Sequence, residues 1–331
     1  MRKEYLLVIF LGFFLGLVSI VALKKFAQKR KILITKGIPL VGGLGMGVSF
    51  VVCAFYGLSQ GLSQGRGFSQ ETWGIILASW VMLTLGFIDD WRELSIRAKF
   101  FVQVLATSLL ILFGIRTYIA YIGTPLNILI TFVWVLGITN ALNHLDILDG
   151  LAAGTALCIC LAFFSISFIN NQANPALLSL ALVGALAGFF VFNFPPAKVY
   201  MGNSGSHFLG FLLSAIALMI SYAPLERKIA LLSPLVILGV PILDTGFLVF
   251  MRLDKRILPF KKSNDHLALR LLSLGYSKKN TLCVLLAGAA LFSLGGVVVS
   301  QVSNPAGLAI VAFMVTASLV FLVRVSKAEK K

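Results

Sequence analysis

The 331-residue sequence has little charge, and negative charge is the scarcer kind. Asp and Glu number only 12, charged residues make up 12% of the chain and hydrophobic residues 59%. Soluble globular domains contain about 25% charged residues, so this composition, with a mean hydropathy of +0.96, excludes that class. The four cysteines lie in apolar runs without a disulfide or metal-binding spacing, so we expect buried thiols. The sequence therefore predicts an integral membrane protein.

Eleven apolar runs are long enough to cross a bilayer as helices. The predicted fold class is all-α: a polytopic membrane protein with about 10–11 transmembrane helices in a single domain, 1–331. The first run ends at Lys24 without a small-residue cleavage pattern, so it is predicted to be a retained helix rather than a signal peptide. The runs cover residues 5–23, 38–58, 72–88, 100–115, 122–139, 151–169, 176–193, 207–223, 229–249, 281–299 and 304–324.

Positive charge is distributed unequally between the predicted loops. If the N-terminus lies outside, the cytoplasmic loops hold 22 of the 28 Lys and Arg residues. This bias favours an outer N-terminus and a cytoplasmic C-terminus. The net charge of +16 is then explained by topology and by attraction to anionic headgroups or phosphates, which argues against a nucleic-acid partner. The predicted cytoplasmic loops are 24–37, 89–99, 140–150, 194–206 and 251–280.

The segment 140–150, NALNHLDILDG, concentrates polar residues between two apolar runs. Asn140, Asn143, Asp146 and Asp149 follow each other at intervals of three residues, which predicts a polar stripe on a helix. Charge at the edge of the hydrocarbon is costly and usually functional. The segment alone leaves two interpretations open: a polar loop that caps two membrane helices, or one wall of a catalytic pocket.

A second acidic group ends the third apolar run, where Asp89 and Asp90 precede Lys99. Paired carboxylates beside a cation can hold Mg²⁺ or accept a proton while the cation binds phosphate oxygens. The alternative is a solvated helix end with ordinary charge pairs. The catalytic interpretation of this pair is favoured only if other polar motifs lie opposite it in the fold.

Two glycine-rich stretches each allow two interpretations. The first, Lys36 to Gly45, is either a close helix contact through small residues or, on weaker grounds, a phosphate-binding loop. The second, GNSGS at 202–206, leads into a helix. Ser204 or Ser206 is either an N-cap there, or the turn leaves free N–H groups for an anion.

The C-terminal third carries an acid inside an apolar run and a long basic segment. Asp244, in the stretch PILD, is a functional-site candidate by default, and its alternative is a hydrogen-bonded interior residue. The basic segment contains NDHLALR, with His266 and Arg270, and is either a solvated surface or a polyphosphate-binding surface. Because nine of the 12 acids lie on the predicted cytoplasmic side, one site at that face is favoured over a transport path.

Six motifs together carry a family resemblance, from Gly37 to about Ser277. The chain resembles the polyprenyl-phosphate N-acetylhexosamine-1-phosphate transferases, the superfamily that contains phospho-MurNAc-pentapeptide translocase and undecaprenyl-phosphate GlcNAc-1-phosphate transferase. It is more similar to the GlcNAc and teichoic-acid branch. The motifs, in order, are GIPLVGG, GFIDDWRELSIRAKF, NALNHLDILDGLAAG, FPPAKVYMGNSGSHFLG, PILD and NDHLALRLLSLGYS.

The resemblance implies phosphoryl transfer in a bacterial inner membrane, with the active site on the cytoplasmic face. An oxygen of undecaprenyl phosphate would attack the sugar-proximal phosphorus of a UDP-sugar and release UMP, which begins a lipid-linked cell-envelope polysaccharide. The implied cofactor is Mg²⁺, with Mn²⁺ as a substitute, and the implied partners are the UDP-sugar, the polyprenyl phosphate and membrane lipids. A homodimer is left open.

Matching the family's motifs position by position implies a role for each of twelve residues. The catalytic residues would be Asp89, Asp90, Lys99 and His266; the substrate-binding residues Asn140, Asp146, Asp149, Lys198, Ser204 and Arg270; and the metal ligands Asn143 and Asn203.

The sequence also departs from the family's pattern. Asn203 stands where the family usually has Asp, and Ile147 where it has Gly. Ala268 and Leu269 stand where it has histidines. A neutral amide contributes less than a carboxylate to holding Mg²⁺. These departures define an alternative: a catalytically degenerate relative that binds a lipid phosphate or nucleotide as a membrane partner.

Overall fold

The computed structural model describes residues 3–62, 68–224, 226–256 and 265–327. Parts of the stretch between the second and third predicted runs and of the predicted loop 251–280 lie outside the described residues, as does Asn264 of the motif NDHLALR. The chain forms two compact units, residues 1–221 and 222–331.

The first unit consists of eight helices and one short hairpin. Helices α6, α7 and α8 are buried along most of their length, because their sequences are apolar and small on all sides. The elements are α1 (Lys3–Arg30), β1 (Ile34–Thr35), β2 (Ile38–Pro39), α2 (Gly42–Leu62), α3 (Gln70–Trp91), α4 (Ile96–Leu112), α5 (Gly123–Leu145), α6 (Leu151–Ile169), α7 (Ala173–Asn193) and α8 (Gly202–Met219).

The second unit begins with a 3₁₀ helix, Lys228–Leu232, that runs directly into a short α-helix. This pair and the following helix are bent by 70° at Leu238. The bend lies just before Pro241, in keeping with the usual effect of proline on a helix. The α-helices are α9 (Ser233–Ile237), α10 (Gly239–Asp254), α11 (Leu267–Ser273), α12 (Lys278–Gln301) and α13 (Asn304–Lys327).

The all-α polytopic fold is confirmed, and each of the eleven predicted runs contains helix. Among the described residues, eight helices are long and apolar enough to cross a membrane, and the bent pair makes nine. Helices α4 and α8 cover the other two predicted runs but do not meet those criteria. The predicted number of spans, about 10–11, is therefore higher than the number of helices that meet them. The predicted orientation of the termini stays a prediction. Cys53 and Cys160 are buried as expected, but Cys158 is half-buried and Cys283 is exposed.

Helix α8 touches its neighbours through glycines. A Cβ atom on Gly43 would overlap the backbone nitrogen of Gly205, and one on Gly86 would overlap the backbone of Asn203 and Ser204. Helices α2 and α3 therefore contact α8 backbone to backbone. This geometry supports the helix-packing interpretation of the glycine-rich stretch, since small residues permit such close approach in membranes.

This contact predicts that two glycine substitutions differ strongly in their effect on thermal stability. Gly43→Leu would force α2 away from α8, and overpacking of this kind costs about 1–3 kcal/mol, so we expect the unfolding midpoint in detergent to fall by roughly 5 °C. Gly137→Leu is the matched control, because a Cβ at Gly137 in α5 meets nothing within 4 Å. Differential scanning fluorimetry compares the two. Equal midpoints would contradict the contact.

Candidate active site

Polar residues from several predicted motifs line one cavity of about 490 Å³ in the first unit. The cavity lies where the ends of α3, α5 and α7 meet the start of α8 and the β1–β2 hairpin. Its lining residues are Thr35, Lys36, Leu40, Asp90, Asn143, Asp146, Ile147, Leu148, Asp149, Asn193, Tyr200, Gly202, Asn203 and Ser206. Five of the predicted site residues are thus brought together: Asp90, Asn143, Asp146, Asp149 and Asn203.

The predicted polar stripe along 140–150 is wrong in its first and last parts. Helix α5 ends at Leu145, so Asp146 and Asp149 lie in the turn that follows rather than on the helix. Asn140 does not line the cavity: its side chain exchanges hydrogen bonds with Gln103 of α4, at 3.0 and 3.4 Å. A reciprocal amide pair of this kind ties two membrane helices together.

The two adjacent carboxylates at the end of α3 point to different partners. Asp89 is buried, forms a 2.6 Å ion pair with Lys99, and accepts a hydrogen bond from the Leu94 N–H at 2.8 Å. Neither Asp89 nor Lys99 lines the cavity. Asp90 does line it. The two neighbouring carboxylates thus have different environments: Asp89 belongs to a buried ion pair, whereas Asp90 lines the cavity.

Asp90 also caps helix α8 from outside that helix. Its Oδ1 accepts the N–H of Asn203 at 2.7 Å, and its Oδ2 accepts the N–H of Ser204 at 2.9 Å. Helix α8 has no side-chain N-cap of its own, so the first of the two interpretations of this turn, an N-cap at Ser204 or Ser206, is wrong. Two first-turn N–H groups that an external anion would need are already bound to Asp90.

An amide cluster connects α5 with α8 inside the cavity. The Asn143 Nδ2 donates to Ser206 Oγ at 2.7 Å and to Asn203 Oδ1 at 3.3 Å. His207, one turn further along α8, has its Nδ1 at 3.0 Å from the Asn203 carbonyl oxygen. These contacts place the two predicted metal ligands, Asn143 and Asn203, side by side.

Two further side chains shape the turn between α5 and α6. Asp149 Oδ2 accepts the N–H of Ala197 at 3.1 Å. Buried Asn193 accepts the N–H of Gly150 at 2.9 Å and donates to the Val199 carbonyl at 3.1 Å. The turn and the proline-containing loop after α7 are therefore held together. Sequence reasoning missed Asn193, although an amide that ends a long apolar run was the available signal.

The cavity carries excess negative charge. Burial, together with the smaller effect of the negative charges of Asp90 and Asp149, raises the pKa of Asp146 to about 7. A cation in the cavity would relieve this repulsion, and would favour the ionised form of Asp146.

The one cation among the described residues that line the cavity is Lys36, which sequence reasoning did not place in the site. Lys36 and Gly37 form the two-residue turn of the β1–β2 hairpin, with φ angles of 51° and 81°. Positive φ at both turn residues is the type I′ geometry, which favours glycine and matches the twist of a hairpin. A Lys-Gly pair between two β-branched or proline-containing dipeptides was the signal for it.

Ile147 and two other predicted residues are also located. Ile147 lines the cavity and is not among the residues with positive φ. Lys198 is exposed and Ser204 is buried, and neither lines the cavity. Their predicted substrate-binding roles stay predictions.

His266 and Arg270 belong to the second unit, where both are buried. The His266 Nδ1 lies 2.9 Å from Asp244 Oδ2. The Arg270 Nη2 donates to Asp265 Oδ1 at 3.2 Å, and its guanidinium lies over the Phe247 ring. Asp244 is therefore a hydrogen-bonded interior residue, the second of the two interpretations that its sequence allowed. The catalytic role of His266 and the substrate-binding role of Arg270 stay predictions.

The donor atoms of the cavity fit Mg²⁺. Within the described part of the chain, no three His, Cys, Asp or Glu side chains are placed to hold a metal ion by themselves. Magnesium does not require such a cage, because it usually binds one or two carboxylates together with substrate phosphates and water. The cavity offers carboxylate and amide oxygens from Asp90, Asp146, Asp149, Asn143 and Asn203.

Fold and cavity define a polytopic membrane protein with an acidic, oxygen-rich pocket beside a lysine. Residues 72–221 match the family model described as glycosyl transferase family 4. A decaprenyl-phosphate N-acetylglucosaminephosphotransferase of Mycobacterium tuberculosis (strain H37Rv) is 32% identical over 290 residues, which are 78% of this chain and 71% of the relative. The chain therefore belongs to glycosyl transferase family 4.

Two other relatives extend the comparison. A probable undecaprenyl-phosphate N-acetylglucosaminyl 1-phosphate transferase of Bacillus subtilis (strain 168) is 29% identical over 279 residues, 80% of this chain and 74% of the relative. A phospho-N-acetylmuramoyl-pentapeptide-transferase of Halalkalibacterium halodurans is 36% identical over 202 residues, 55% of this chain and 61% of the relative. The similarity to the two N-acetylglucosamine enzymes thus extends over more of the chain.

Proposed function

We propose that this protein transfers a sugar-1-phosphate, an N-acetylhexosamine-1-phosphate, from a UDP-sugar to undecaprenyl phosphate and releases UMP. The reaction takes place on the cytoplasmic face of a bacterial inner membrane and begins a lipid-linked polysaccharide of the cell envelope. The observation that carries the proposal is the convergence of Asp90, Asn143, Asp146, Asp149 and Asn203 on one cavity with Lys36 among its lining residues. The named activities of the relatives support it.

In this proposal the chain's own residues position the reactants. Asp90, held by two N–H groups of α8, accepts a proton from the attacking lipid phosphate. Lys36 binds phosphate oxygens of the UDP-sugar, which a lysine does as a point charge. Lys99, ion-paired with Asp89, supports the end of α3 that carries Asp90. Catalysis of this type depends mainly on positioning and on neutralising charge.

Mg²⁺ is the proposed cofactor, and Mn²⁺ the proposed substitute. Asn143, Asn203 and Asp146 would hold it, together with oxygens of the substrate. When bound, the ion offsets the negative charge of the two phosphate-bearing reactants and of the three carboxylates. The proximity of the negative charges of Asp90 and Asp149 to Asp146 supports a cation at this position, because a cation would relieve their repulsion.

A panel assay tests the proposed function. Purified protein in detergent is incubated with undecaprenyl phosphate, Mg²⁺ and each of several UDP-sugars, and UMP is measured. We expect UMP release with at least one N-acetylhexosamine donor, dependent on the lipid acceptor. No UMP from any donor would overturn the proposal and favour the degenerate relative that binds lipid phosphate or nucleotide.

We expect the Asn203→Asp variant to need less Mg²⁺ for activity than the wild-type protein needs. A carboxylate in place of the amide adds a negative ligand beside Asn143, so we expect half-maximal UMP release at roughly tenfold lower Mg²⁺ concentration, since hard cations prefer charged oxygens. Asn280→Asp, the same substitution at an exposed residue in the first turn of α12 that does not line the cavity, is the control. A titration unchanged by Asn203→Asp would remove Asn203 from the metal site.

A further inference from the structure

Asn193, the last residue of α7, is 2% exposed and lines the cavity. Its Oδ1 accepts the Gly150 N–H at 2.9 Å, and its Nδ2 donates to the Val199 carbonyl oxygen at 3.1 Å. Both groups of the amide are therefore bound to backbone. The proposed reaction gives Asn193 no role, although it joins two segments that contribute residues to the cavity.

The two backbone partners determine the orientation of this amide. A carbonyl oxygen only accepts a hydrogen bond and a backbone N–H only donates one, so the NH₂ must face Val199 and the oxygen must face Gly150. An ionised aspartate has no donor for Val199, and an apolar side chain serves neither partner. The asparagine amide supplies both the donor and the acceptor from one short side chain.

The loop after α7 is held to the end of that helix by backbone hydrogen bonds. The Phe192 carbonyl oxygen accepts the N–H groups of Lys198 and Val199, at 2.7 and 3.2 Å. The bond from Asn193 to Val199 lies in the same region. The end of α7 and the loop therefore form one support, to which the carboxylate-bearing turn 146–150 attaches.

Side-chain hydrogen bonds join the turn 146–150 to this support. One runs from the Gly150 N–H to Asn193, and another from the Ala197 N–H to Asp149 Oδ2, at 3.1 Å. Asp149 is a cavity carboxylate, so a cation in the cavity would compete with Ala197 for its charge. Asn193 is neutral, and its bond to the turn uses no cavity carboxylate.

We infer that Asn193 is a positioning residue for Asp146 and Asp149: its amide keeps the turn that carries both carboxylates against the end of α7, where they line the cavity. Asn193 acts on a bound cation through this turn. The inference rests on the proposed function for the cation that the carboxylates hold, but not for the contact between turn and loop.

Hydrogen exchange, measured by mass spectrometry on protein in detergent, tests the contact without turnover. Asn193→Ala removes the acceptor of the Gly150 N–H, so the peptide that contains Gly150 should exchange about tenfold faster. The decisive peptide contains Ala197, whose N–H is bonded to Asp149 and not to Asn193. It should exchange faster by a similar factor, because the turn no longer stays against the loop.

Asn127→Ala is the matched control. Asn127 in α5 is also a buried amide bound to backbone: it accepts the Ile119 N–H at 2.8 Å and donates to the Gly123 carbonyl oxygen at 2.8 Å. It does not line the cavity. We expect Asn127→Ala to lower the unfolding midpoint as Asn193→Ala does, but to leave exchange of the Gly150 and Ala197 peptides at the wild-type rate.

Binding of Mn²⁺ alone tests the consequence for the site. The free ion is measured by electron paramagnetic resonance. Replacing a residue that orients metal ligands typically lowers metal affinity 10- to 100-fold, so we expect Asn193→Ala to raise the Kd for Mn²⁺ by about that factor. Asn127→Ala should keep the wild-type Kd. A loss of affinity shared by both variants would show a merely structural role and overturn the inference.

The two measurements distinguish this inference from the proposed function. If the wild-type protein binds no Mn²⁺, the proposed metal site fails, and exchange of the Ala197 peptide still decides whether Asn193 positions the turn. Wild-type exchange of that peptide in Asn193→Ala would overturn the inference, as would an unchanged Kd despite faster exchange. Should Asn193→Ala fail to fold, Asn193→Ser, which keeps a polar group in the buried site, is tested with the same expectations.

Discussion

Asp90→Asn lowers UMP release about 1000-fold, the middle of the range for a lost acid-base group. The amide cannot take a proton from the lipid phosphate, and it removes one of three carboxylates from the cavity. It also weakens the capping of α8, since only its oxygen can accept one of the two N–H groups that Asp90 binds. We expect the protein to remain folded, with a cost of about 1 kcal/mol for the weakened cap.

Glu71→Gln is the control for this variant. Glu71 lies in the first turn of the same helix, α3, is exposed, and loses the same charge on substitution. Its UMP release should equal that of the wild type. Wild-type turnover by Asp90→Asn would remove Asp90 from the mechanism. Loss of folded Asp90→Asn protein would instead show that its main contribution is the cap, which a melting curve distinguishes.

Lys36→Met raises the KM for the UDP-sugar about 10- to 100-fold, because hydrogen bonds to charged groups contribute about 1.5–3 kcal/mol and 1.4 kcal/mol corresponds to a factor of ten. We expect the change in KM because Lys36 lies among carboxylates and, in the proposed reaction, supplies the positive charge that binds the diphosphate of the UDP-sugar. The kcat should change less. Steady-state kinetics with varied UDP-sugar measures both constants.

Lys29→Met provides the comparison for Lys36→Met. Lys29 is an exposed lysine in the last turn of α1, seven residues earlier in the same basic run, and does not line the cavity. Its KM should stay at the wild-type value. Equal KM values for the two variants would show that charge near the membrane surface, rather than Lys36 itself, attracts the substrate.

The helices were predictable from the sequence because each apolar run is long and continuous. Their ends were less predictable, and α5 shows why. Residues 140–149 keep a three-residue polar spacing beyond the point where the helix stops, and spacing alone does not locate a helix end. Helix α5 has no glycine immediately after Leu145 to mark it.

Only some of the residues that form the site could be predicted from the sequence. Asp90 and Asp89 are neighbours in sequence, but successive helical residues point in different directions, so one lines the cavity and the other binds Lys99. Asn140 was assigned to the site by its spacing from Asn143, whereas Gln103, 37 residues away, determines its orientation. Such long-range partners cannot be read from a local pattern.

The glycine contacts of α8 have a mechanical consequence. Where α2 and α3 meet α8 backbone to backbone, there is no side chain whose change of rotamer would let the helices shift, so we expect the start of α8, which carries the cavity residue Asn203, to be stiff. The hairpin with Lys36 has only two residue pairs, and two-stranded hairpins are marginally stable by themselves, so we expect it to move more easily than the helix ends. We therefore expect substrate entry and product release to depend on movement of this hairpin, while the start of α8 keeps its geometry throughout the catalytic cycle.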